Sequence, residues 1–65
     1  MNDEQIDMAT KYMVKMQRSL QKNGMPEPHL IAIMGHFMAF CFFAPINDHK
    51  MIFENIMRKL EEGTK

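Results

Sequence analysis

The sequence predicts an all-α fold: one small domain of three helices, a hydrophobic central helix flanked by two amphipathic ones. Three observations predict it. Apolar residues recur at steps of three and four in the outer segments, which is the helical period. Two breaks, "NGMPEP" at 23–28 and "AP" at 44–45, divide the chain into three. No segment alternates apolar and polar residues as a half-buried strand does. There is no internal repeat and no low-complexity tract.

The first helix is expected over about 3–23. Asn2 is placed to cap it, with Gln5 three residues on as a capping box requires. Ile6, Ala9, Met13, Met16 and Leu20 make one apolar stripe. Asp3, Glu4 and Asp7 lie near the positive end of the helix dipole and Lys22 near the negative end. Asn23–Gly24 supplies a left-handed stop.

The second helix is expected over about 28–44. Pro28 suits its opening, where a missing N–H is harmless. Pro45 ends it, because the residue before a proline is pushed out of the helical region. The third is expected over about 48–62, capped by Asn47 or Asp48 and stopped at Gly63. His49, Ile52, Phe53, Ile56, Met57 and Leu60 share one face. Lys50–Glu54 and Glu54–Arg58 are spaced for ion pairs on the other. The terminal Gly63-Thr64-Lys65 is expected to be disordered.

The central segment differs from its neighbours. From His29 to Phe43 it contains no Asp, Glu, Lys or Arg. Leu30, Met34, Phe37 and Cys41 lie on one side, Ile31, Met38 and Phe42 on a second, Ile33, Phe40 and Ala44 on a third. A strip of Ala32, Gly35 and Ala39 completes the turn, with His29 and His36 at its edge. A helix apolar all round is buried all round, in protein or in lipid. Lipid is disfavoured: the sixteen residues between Pro28 and Pro45 span only ~24 Å, against a hydrocarbon core of ~30 Å. Four basic residues lie on each side of the segment, so no charge bias would orient it.

Two amphipathic neighbours cover two sides of such a helix and leave a third. A homodimer, the commonest oligomer, would cover it through Ala32, Gly35, His36, Ala39 and Phe43. Two alternatives stand beside this one. The glycine could serve a tight crossing inside a monomer, or the face could be reserved for a different protein.

Sixty-five residues bound the rest. A core this size supplies only ~3–5 kcal/mol, so staples are common at this length. Cys41 is the lone cysteine, which excludes a disulfide within the chain and suits a reducing, cytoplasmic setting. The opening "MNDEQID" lacks the basic start and apolar stretch of a secretory signal. Eight basic and eight acidic residues cancel, so no general attraction to nucleic acid or anionic membrane is expected. A helix-turn-helix reading would place Asp48, Glu54, Glu61 and Glu62 on the recognition helix, the wrong charge for DNA. Nine methionines suit both helical cores and adaptable contact surfaces.

No chemistry assembles from the motifs. His29 and His36 are seven apart, and Cys41 lies five from His36 and points elsewhere; neither spacing is that of a zinc site or a Cys–His nucleophile. The glycines are isolated, so no phosphate loop exists. The expectation is therefore no enzyme, no metal and no cofactor. The expected function is a small helical interaction protein, a homodimer that binds and modulates another protein. Small regulators and inhibitors of bacteria and their phages share this size and class, an analogy without a motif behind it. The alternative is a small-ligand or nucleotide binder, its pocket formed between protomers. Lys11, Lys15, Arg18 and Lys22 form a basic stripe on the first helix and, with Tyr12, are its candidate partner or anion contacts. A membrane-associated peptide is a third reading.

Overall fold

A computed structural model describes residues 2–63. It contains three α-helices, α1 (Asp3–Lys22), α2 (Glu27–Phe43) and α3 (His49–Gly63), with a short 3₁₀ turn at Ile46–Asp48 before α3. The predicted all-α, three-helix class holds, and no strand occurs among the described residues. Gly63, expected to stop the third helix and begin a disordered tail, is instead the last residue of α3; Thr64 and Lys65, also expected to be disordered, lie outside the described residues.

α1 begins with the predicted capping box. Asn2 Oδ1 accepts from the Gln5 backbone N–H at 2.8 Å, and Gln5 Oε1 accepts from the Asn2 N–H at 3.1 Å. It ends in a Schellman motif. Gly24, at φ +81, lets its own N–H reach the Gln21 carbonyl and the Met25 N–H reach that of Leu20, both at 3.0 Å.

α2 opens one residue before the expected start. Pro26 is the cap, Glu27 and Pro28 fill the first two helical positions, and the Leu30 N–H closes the first turn on the Pro26 carbonyl at 3.0 Å. Ala44, before Pro45, is already extended at ψ 148. The start of α3 corrects the sequence reading. Neither Asn47 nor Asp48 caps it with a side chain. The Asp48 N–H donates instead to the Pro45 carbonyl at 2.9 Å, and the chain winds into α3 through the 3₁₀ turn. Of the two expected ion pairs one forms and the other is corrected. Lys50 and Glu54 approach to 3.9 Å in solvent, but Arg58 donates to Asn55 Oδ1 at 3.1 Å rather than pairing with Glu54.

The core lies where the three helices meet. Ala9, Met16, Leu20, Leu30, Phe37 and Cys41 are its buried apolar residues. Ile52, Phe53, Ile56, Met57 and Leu60 of α3 pack against them. Phe53 anchors the junction: its ring meets Phe37 edge-on at 6.5 Å and Tyr12 at 5.2 Å. Ile6 departs from the expected stripe and is 42% exposed. At that turn the inward position is taken by Gln5, whose Nε2 donates to the Ala44 carbonyl at 3.2 Å.

Candidate functional site

α1 and α3 cover only one side of α2. Leu30, Phe37 and Cys41, within about 40° of each other at 100° per residue, face the core. The opposite half faces solvent. It carries His29, Ile31, Ala32, Gly35, His36, Ala39, Phe40, Phe42 and Phe43, all exposed. All five expected self-association residues, Ala32, Gly35, His36, Ala39 and Phe43, are brought together on it. His36 stands in solvent.

Of the large apolar side chains on this face, the sequence reading names only Phe43 for self-association. Ile31 is 57% exposed, Phe40 58% and Phe42 55%, and Phe43 reaches 86%. The Phe42 and Phe43 rings pack edge-on at 5.1 Å. The missed signal was angular. Ile31 and Phe42 lie within about 40° of Gly35 on the helical wheel, so they share the small strip's side.

Gly35 decides between two of the sequence readings. A Cβ built on it meets nothing within 4 Å, so no helix of this chain crosses there and the internal-crossing reading is corrected. A mid-helix glycine costs roughly 1 kcal/mol against alanine, and nothing within the monomer accounts for it.

The rear of α2 is tied at its exit. His49 is fully buried, and its Nε2–H donates to the Cys41 carbonyl at 3.1 Å; a carbonyl can only accept, which fixes the tautomer. His49 thus adds a second donor to a carbonyl at the end of α2 that also accepts the Ala44 N–H at 3.3 Å. Its Nδ1 is buried without a hydrogen-bond partner. Burial pushes the Cys41 thiol above its ordinary value of 9.0, which makes it a poor nucleophile. Sequence placed His49 on the inward face of α3 but had no signal for this bond, which joins residues eight apart through a turn.

The expected anion contacts lie along the outer side of α1. Lys11, Lys15, Arg18 and Lys22 are exposed along α1, and Lys15 Nζ sits 5.5 Å over the Tyr12 ring. Tyr12 is half-buried against Phe53. A separate open groove of ≈ 610 Å³ lies between the α1–α2 turn and the end of α3, lined by Leu20, Met25, Met57 and Leu60 with His29 and Glu61. None of the basic stripe reaches it. Among the described residues no group of three or more His, Cys, Asp or Glu could hold a metal, and no helix is long and apolar enough to cross a membrane. No known protein family, curated protein or solved structure matches the chain.

Proposed function

We propose that this chain is a small non-enzymatic interaction protein that works as a homodimer through α2 and modulates another protein. The observation that carries the reading is the solvent-facing half of α2: four large apolar side chains exposed by more than half, with no formal charge between Glu27 and Asp48. Soluble monomers rarely expose a contiguous apolar patch of this kind without using it. The charged outer arcs of α1 and α3 remain available for the modulated protein while α2 is engaged. The buried lone thiol is in keeping with a reducing compartment.

Sedimentation equilibrium from one to one hundred micromolar tests the self-association half; a monomer throughout would defeat it. A tagged pull-down from the native cell tests the other half. The small-ligand reading keeps a place because of the groove beside His29 and Glu61. Native mass spectrometry separates the two, since a co-purified metabolite on an otherwise partnerless chain would favour the ligand.

A further inference from the structure

We infer that two copies of this chain pair α2 against α2, antiparallel, about a two-fold axis passing beside Gly35. The inference rests on the self-association reading above and adds the surface, direction and register.

The size of the face fits a second copy. Phe42 and Phe43, at 55% and 86% exposure, together offer about 1.4 whole Phe side chains, roughly 200–350 Å². That is about a third of the ~800 Å² each partner gives a standard interface. Ile31, the alanines and His36 add to it. The absence of charge fits as well: a charged face would meet its own sign across a two-fold axis, and this one meets none.

The register follows from position. Gly35 is the midpoint of Glu27–Phe43, so an axis there overlaps the two helices along their full length. Pro28, Ala32, Gly35, Ala39 and Phe42 run down the middle of the exposed half at steps of four, three, four and three. This is the seam spacing of a left-handed coiled coil. In the antiparallel arrangement Gly35 faces its own copy, Ala32 of one chain faces Ala39 of the other, and Pro28 faces Phe42. Small residues meet small ones at the centre, where the open space above Gly35 admits a backbone. A bulky ring closes over a proline at each end. The parallel alternative stacks Phe42 and Phe43 on their own copies at one end. It also sets two Glu27 side chains and two positive helix ends together at the other, whereas antiparallel dipoles attract.

The test mixes Ala32→Cys with a mass-tagged Ala39→Cys in equal amounts, under mild oxidation. In the inferred register the two positions face each other, while Ala32 lies about 9 Å and Ala39 about 12 Å along the axis from its own copy. A disulfide needs Cα atoms within about 7 Å. The mixed disulfide should exceed either homodisulfide at least ten-fold, and wild type, its Cys41 buried, should not cross-link. Dominant homodisulfides would mean parallel pairing and overturn the register. A sedimenting dimer that cross-links at neither position would overturn the α2 surface while sparing self-association. A monomer at one hundred micromolar would overturn both, whatever else binds the face. Gly35→Leu should weaken the dimer at least ten-fold at unchanged helix content, since a side chain there meets nothing in the monomer. A wild-type dissociation constant in that variant would also overturn the inference.

Discussion

Gly35 and Cys41 stand six residues apart on α2 and meet opposite surroundings. Gly35 faces open solvent, so Gly35→Ala should stabilise the monomer by about 0.5–1 kcal/mol through helix propensity alone. Urea titration at low micromolar concentration measures this, and a loss of stability would reveal a contact that the fold does not contain. Cys41 is buried, and its desolvation favours the neutral thiol. In the unfolded chain the thiol ionises near its ordinary value. In the folded chain it holds its proton to higher pH. Its contribution is therefore complete below pH 9.0 and is lost as pH climbs toward the raised folded value. The slope reaches at most ~1.4 kcal/mol per pH unit. Stability curves of wild type and Cys41→Ala, compared between pH 8 and 11, should converge as pH rises. Parallel curves would mean that burial does not perturb this thiol.

At the scale of the element, the exit of α2 is the best-secured junction. Its Ala44 carbonyl accepts from Gln5 and its Cys41 carbonyl from His49. Removing the imidazole leaves a cavity and takes one of two donors from the Cys41 carbonyl, which keeps the Ala44 N–H at 3.3 Å, so His49→Ala should cost about 2–4 kcal/mol. His29→Ala and His36→Ala, at exposed positions, should stay within about 0.5 kcal/mol in the monomer. Denaturant midpoints for the three variants check the contrast, and equal costs would contradict the buried role of His49. The same comparison separates what sequence could tell from what it could not. α1 and α3 were legible because each sets an apolar stripe against a charged arc, which gives the 3.6-residue period a contrast to read. α2 has no charged arc. Its limits followed from Pro28 and Pro45, but its buried side could not be chosen from periodicity. The small strip 32–35–39 therefore stood out while Ile31, Phe40 and Phe42 beside it did not. The tie from His49 to Cys41 depends on how the 3₁₀ turn swings α3 back, which no local pattern encodes. The 3₁₀ turn itself was hidden because Asn47 and Asp48 are equally good cap residues.

The whole molecule measures 35 × 19 × 15 Å and exposes 4799 Å². Area–mass scaling gives roughly 4,300 Å² for a compact monomer of this mass, so the single chain carries surface beyond what its size requires. Among the described residues the core holds six buried apolar residues, which supply little margin, ~3–5 kcal/mol by the measure of such domains. Covering the α2 face would therefore be a large fraction of total stability, and it would enter by mass action. Each ten-fold rise in concentration above the dissociation constant adds up to ~1.4 kcal/mol per dimer. For a domain this small 1 kcal/mol moves Tm by about 4–8 °C. Wild-type Tm should rise by several degrees between 2 and 200 micromolar. Phe43→Glu adds a charge at a side chain that is 86% exposed, so it leaves the isolated fold alone and places like charges on a shared apolar surface. That variant should match the wild-type Tm at the lowest concentration and fail to rise with it. A concentration-independent wild-type Tm would assign the stability of the fold to the single chain and leave the apolar face without a role in folding.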